Sequence, residues 1–95
     1  MRTRVDNVDH AYMRAAQRCG WSKPKARKMM REASLYGKSF DHIDDPEISE
    51  FVRVRQVCTR RRIRYYQGYI FVFASTSTRC YTVYKYGEND GNEEN

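Results

Sequence analysis

Residues 63–86 read IRYYQGYIFVFASTSTRCYTVYKY, hold most of the chain's aromatic residues, and divide into three short strands with two turns between them. In YYQGY, Gln67 and Gly68 sit between apolar runs, where Gly68 can supply the positive φ that a two-residue hairpin turn needs. Ser75 to Arg79 makes a five-residue polar loop, the next commonest hairpin length. Those loops set a register. Tyr66 faces Tyr69, Arg64 faces Phe71 and Arg62 faces Phe73, while Ala74 faces Cys80, Phe73 faces Tyr81 and Phe71 faces Val83.

Side chains alternate across a strand, so this register sorts them onto two faces. Ile63, Tyr65, Ile70, Val72, Ala74, Cys80, Thr82 and Tyr84 share one, which reads as a floor for helices. Arg62, Arg64, Tyr66, Tyr69, Phe71, Phe73, Tyr81, Val83 and Lys85 share the other. Aromatic rings fringed by cations suit unpaired bases and phosphates. The plainer alternative covers both faces and makes Phe71 and Phe73 core, and for those two burial is the first expectation. Arg62, Arg64 and Lys85 are expected to be exposed.

The 95 residues suffice for one modest core, and 32% charged residues keep its surface wetted. No apolar run approaches the roughly 20 residues of a membrane helix. MRTRVDNVDH has no apolar segment behind its arginines, unlike a secretory signal. Cys19, Cys58 and Cys80 are odd in number and far apart, which argues against a disulfide framework or zinc knuckle and for a reducing cytosol.

Charge is the more telling bound. The total is +6, yet Glu88, Asp90, Glu93 and Glu94 cluster in a C-terminal tail with no cation. Setting those four aside leaves 18 Lys and Arg against 8 Asp and Glu, so residues 1–87 carry +10. A small domain with that excess suits a polyanionic partner, whether nucleic acid or an acidic protein surface. A basic domain with no specific partner would have the same net charge. Residues 88–95 read as a disordered acidic tail following one domain at 1–87.

Upstream, residues 1–6 read as frayed, and a first helix starts at Asn7 or Asp9 and ends at Gly20, a natural left-handed cap. Val8, Ala11, Tyr12, Ala15 and Cys19 mark its buried stripe. His10, Arg14 and Arg18, four apart, form a second stripe that could equally be solvated charge. Ser22 and Pro24 open a second helix with Ala26, Met29, Met30, Ala33 and Tyr36 inward, and Gly37 closes it. Its outer side carries Lys25, Arg27, Lys28 and Arg31 against Glu32, either a solvated face or a phosphate contact. After a loop at 38–45, Asp45-Pro46 signals a third helix carrying Ile48, Phe51, Val52, Arg55 and Cys58. VRVRQV also alternates with period two, which leaves a fourth strand open for residues 47–58. Arg60-Arg61-Arg62 is the densest cationic patch.

No GxGxxG or GxxxxGK[ST] loop cradles a nucleotide, no metal-ligand spacing occurs, and no cofactor is implied. Metal-free RNA cleavage remains open, since it needs a base for the 2′-hydroxyl, an acid for the leaving oxygen and cations for the phosphorane. His10 could carry one proton, with Arg14, Arg18, Arg62 or Arg64 on the phosphate. Tyr66, Tyr81 and Glu50 are equal candidates for the second proton.

H-x3-R-x2-Q-R-x-G at His10 to Gly20, followed by IRYYQGYIFVF and YTVY, resembles a set of small uncharacterised proteins from Firmicutes and their phages. Their layout is similar to the nuclease superfamily of barnase, the colicin tRNases and RelE-type toxins. The resemblance spans most of residues 5–86 and would put His10, Arg14, Arg18, Arg64 and Thr82 in the recurring polar places of those proteins. Gln17 stands where those proteins usually have Glu, and Gly87 near where a proline usually follows the last strand. The register puts Thr82 on the helix-packed face, away from Arg64, so either the register slips by one or Thr82 is structural.

The expected fold is α+β: two or three N-terminal helices on one face of a three-stranded, or four-stranded, antiparallel meander. The leading expectation is a cytoplasmic protein that binds nucleic acid, RNA before DNA, or a nucleoprotein complex. Its contacts are Arg60, Arg61, Arg62, Arg64, Tyr66, Tyr69, Tyr81, Lys85, Lys28 and Arg31, and a toxin-like ribonuclease activity would centre on His10, Arg14, Arg18 and Arg64. The rival is a non-enzymatic phage or mobile-element protein that blocks a host defence complex, as an anti-CRISPR does. A homodimer with Phe71 and Phe73 in its interface is a further alternative.

Overall fold

The computed structural model describes residues 2–87, with side chains from His10 onward. The elements run α1 (Arg2–Cys19), α2 (Lys23–Tyr36), a 3-10 turn (Phe40–His42), α3 (Pro46–Thr59), β1 (Arg62–Tyr66), β2 (Tyr69–Phe73) and β3 (Cys80–Lys85). This is an α+β arrangement of helices followed by an antiparallel sheet of order β1-β2-β3. The acidic tail lies outside the described residues, as does the side chain of Val8.

Helix ends follow local chemistry. The backbone of α1 is helical from Arg2, so residues expected to fray belong to the helix; no Gly or Pro interrupts them. Gly20, at φ 71, provides the left-handed exit. Ser22 caps α2 by accepting from the Lys25 amide. Asp45 caps α3 by accepting from the amides of Glu47 and Ile48, with Pro46 in the first turn. VRVRQV is therefore helix, and its fourth-strand alternative is excluded. A lone bridge between Lys38 and Tyr65 is the nearest thing to a further strand. Tyr36 and Cys58, expected inside, are exposed at the ends of their helices.

β1 and β2 pair as Tyr66–Tyr69, Arg64–Phe71 and Arg62–Phe73, the register expected from the turn. Gln67 at φ 51 and Gly68 at φ 83 both adopt the left-handed conformation of that two-residue turn. Between β2 and β3, Phe71 meets Val83 and Val72 meets Thr82 in the expected register, but Phe73 meets Cys80 instead of Tyr81. Tyr81 is the extra residue, and the one-residue slip is a β-bulge.

The sheet carries helices on both faces, not one. Ala11 and Ala15 of α1 and Ala26, Met29, Met30 and Ala33 of α2 bury Phe71, Phe73, Cys80 and Val83, with Trp21 at the α1–α2 junction. On the opposite face, Val52 of α3 packs with Ile63, Ile70, Val72 and Tyr84, flanked by Phe40, Ile43, Ile48 and Phe51. β2 is the reason: from Ile70 to Phe73 all four residues are buried, so neither face could be left to solvent. Phe71 and Phe73 are core with no exposed surface, and the open aromatic platform does not exist.

Candidate functional site

The bulge at Tyr81 and the path of α1 along the β3 edge bring a polar cleft together. His10, Arg14 and Arg18 of α1, Arg61 at the α3–β1 junction, and Tyr81 and Thr82 of β3 line a cavity of about 240 Å³. Among the described residues, no carboxylate lines it. Three guanidinium groups thus converge from two segments far apart in sequence, an arrangement that a solvated helix face alone would not produce.

Each side chain is held. Arg18 Nη1 donates to Thr82 Oγ1 at 3.2 Å, and the guanidinium carbon lies 5.9 Å from the Tyr84 ring centroid. Arg14 Nε donates to His10 Nε2 at 2.9 Å. Because arginine has no acceptor, Nε2 of His10 must supply its lone pair, which leaves the ring proton on Nδ1. His10 in this state presents an N–H donor rather than a free base. The Arg61 guanidinium stacks over the Tyr81 ring, 4.1 Å from its centroid. Cations, an N–H and a hydroxyl form a donor-rich set matched to phosphate oxygens.

Of the proposed catalytic set, His10, Arg14 and Arg18 come together, and Arg64 does not join them. Arg64 belongs to β1, at the opposite edge of the sheet from β3. Its Cβ lies close beneath Gly37, and Nη1 donates to the Ile63 carbonyl at 3.0 Å. Burial lowers its pKa, the nearby Arg62 adds to this, and Asp41 opposes it. Thr82 faces away from Arg64, as its strand parity requires, and serves Arg18 instead.

The proposed binding residues divide further. Arg61 and Tyr81 join the cleft, Tyr81 on the face opposite to the one expected, because the bulge turns it toward the Ile70–Val72 side. Arg62 is half-buried rather than exposed. Its Nε and Nη2 donate to the carbonyls of Ala74 and Ser77 at 3.3 and 3.2 Å, fastening the β2–β3 loop. Tyr66 and Tyr69 are half-buried against the α1–α2 core; Tyr66 donates to Glu32 Oε1 at 2.8 Å, and the Tyr69 ring sits 4.8 Å from Trp21. The Glu32 carboxylate raises the Tyr66 pKa, which keeps the phenol neutral. Glu50 is occupied by Arg53 at 2.7 Å. Among the three candidates for a second proton carrier, only Tyr81 shares the cleft with His10.

Arg60 is exposed and caps α3 in the left-handed conformation, and Lys85 is exposed at the end of β3. Lys28 and Arg31 lie on the open side of α2, where Lys23, Arg27, Lys28 and Arg31 line a second shallow basic depression. Tyr12, expected only on the buried stripe of α1, and Arg79, expected only as a loop residue, line a separate groove. Among the described residues, no group of His, Cys, Asp and Glu is placed to hold a metal, and no helix is long and apolar enough to cross a membrane. Comparison with protein-family models, with curated proteins and with solved structures finds no match.

Proposed function

We propose that the chain is a nucleic-acid-binding protein that grips the phosphodiester backbone of single-stranded RNA in the cleft between α1 and β3. One observation carries this reading: Arg14, Arg18 and Arg61 converge with the His10 ring and the Thr82 hydroxyl on a pocket with no carboxylate among its described lining residues. About 240 Å³ is of a size to hold one phosphate with its sugar. Arg61, stacked on Tyr81 by one face, offers the other face of its planar group to an unpaired base. The Thr82 hydroxyl and the His10 N–H are polar groups that a 2′-hydroxyl can bond to, which favours RNA over DNA in this reading.

The test is fluorescence anisotropy of a labelled single-stranded RNA across a salt series, with an EDTA-treated sample run on a denaturing gel beside it. Each phosphate neutralised on a single strand contributes about −0.7 to the log–log slope, so one phosphate held in the cleft gives a slope of about −0.7. Changing Arg14, Arg18 and Arg61 together to Gln should flatten that slope to near zero and weaken binding by at least tenfold. An unchanged slope would place the RNA elsewhere and remove this reading. Cleavage in EDTA that disappears in both His10→Ala and Tyr81→Phe would add catalysis to binding, and would require His10 to release Arg14 during the reaction.

A further inference from the structure

A separate concavity lies on the other side of α1. Tyr12 of α1, Ser34 and Leu35 of α2 and Thr78 of the β2–β3 loop wall a groove of about 450 Å³, within the range of small-molecule sites. Its floor is core: Ala11, Met30 and Cys80 line it and are almost wholly buried. Burial also pushes the Cys80 thiol up to about 12, so the sulfur lines the floor as a neutral, apolar group. Leu35, 66% exposed, stands at the wall as an uncovered apolar side chain.

The rim has the opposite character. Arg27 and Arg31 project one turn apart from α2, and Arg79 faces them from the loop. None of the three has an ion-pair partner among the described residues. A neutral apolar ligand would cover the floor and leave like-charged guanidiniums crowded around it. A bare phosphate would answer the charge and leave the hole empty. Both demands are met by one molecule with an apolar body and an anionic head.

We propose that the α1–α2 groove binds a free amphiphilic anion, an alkyl or aryl carboxylate whose apolar body rests on Ala11, Met30 and Cys80 and whose head meets Arg27, Arg31 and Arg79. This is independent of RNA binding at the α1–β3 cleft.

The probe is anilinonaphthalene sulfonate, which combines two apolar ring systems with one anionic group, followed by fluorescence on the full chain. Saturation at one site per chain is expected, with displacement by decanoate below its micellar concentration and at least tenfold weaker displacement by decanol. Ser34→Phe should fill the groove and abolish the signal. Arg31→Gln and Arg79→Gln should each weaken binding by about tenfold, in line with one charge-assisted contact. Arg79→Gln, on an exposed loop, is read alone if Ser34→Phe does not fold, as judged by its melting curve. Non-saturable fluorescence, equal competition by decanol, or unchanged binding in both arginine variants would overturn the proposal.

Discussion

Arg18 Nη1 reaches Thr82 Oγ1 at 3.2 Å across 64 positions of sequence, joining α1 to the edge strand on which it lies. The contact aims a flexible cation into the cleft, so Thr82 is a positioning residue for Arg18. Thr82→Val keeps the branched shape and removes the acceptor. The expected cost is about 1 kcal/mol of stability, the usual worth of one such hydrogen bond. RNA affinity should fall several-fold while the salt slope is kept, because Arg18 retains its charge. Thr82→Ser should restore both affinity and stability toward wild type. A stable Thr82→Val protein with unaltered affinity would show that Arg18 needs no anchor.

Arg60 ends α3 at φ 59 and ψ 31, a conformation that costs a residue with a Cβ about 1 kcal/mol or more. Arg60→Gly should therefore stabilise the protein by about 1 kcal/mol, raising the melting temperature by roughly 4–8 °C for a domain of this size. Arg60 does not line the cleft, so RNA affinity should change less than twofold. This separates Arg60 from Arg61, its neighbour in the densest basic run. A fall in affinity equal to that of Arg61→Gln would mean that the whole run acts as one diffuse patch.

The fold was legible wherever local chemistry dictates backbone: the Asp45-Pro46 helix start, the Gln67-Gly68 turn and the β1–β2 register all follow from residues a few positions apart. Two features were not. The bulge at Tyr81 depends on Phe73 and Cys80 both being drawn into the α1–α2 core, a tertiary demand that overrides simple alternation. The second helical layer depends on α3 folding back over Ile63, Ile70 and Val72, and the run Ile70–Phe73, apolar without interruption, was the signal for it. His10, Arg14 and Arg18 could be grouped by helical spacing alone. Their convergence with Arg61, and the separation of Arg64 from all of them, depend on α1 lying along the β3 edge of the sheet, which no local signal fixes.

Gly37 follows α2 with ordinary extended angles, φ −64 and ψ 153, so its role is not conformational. It is there for space. A Cβ would press on the Ala33 carbonyl oxygen and lie 2.9 Å from Cβ of Arg64. Both are fixed, one by helix backbone and the other by the strand. Gly37→Ala should destabilise by about 1–3 kcal/mol, the cost of overpacking a close contact, in a chemical denaturation experiment. Adding Arg64→Gly to that variant should recover part of the loss, since it removes one of the two clashes. A neutral Gly37→Ala would mean that the α2–β1 contact yields easily.

Cys80 and Cys58 should separate by reactivity and by pH. Cys58 is exposed, whereas Cys80 is buried, with its pKa pushed by burial from 9.0 up to about 12. Iodoacetamide at mildly alkaline pH should modify Cys58 in the folded protein and spare Cys80 until denaturant is added. The linkage sign follows from the raised pKa. Below about pH 9 both folded and unfolded Cys80 hold the proton, and its contribution is fully present. Between about 9 and 12 the unfolded thiol ionises while the folded one does not, so the folded state binds more protons and stability falls as pH rises. The slope from this group is at most about 1.4 kcal/mol per pH unit. Cys80→Ala should be less stable than wild type at neutral pH because it loses packing, and that gap should narrow as denaturation curves are taken from pH 8 toward 11. Parallel stability profiles would show that the Cys80 thiol reaches water in the native state.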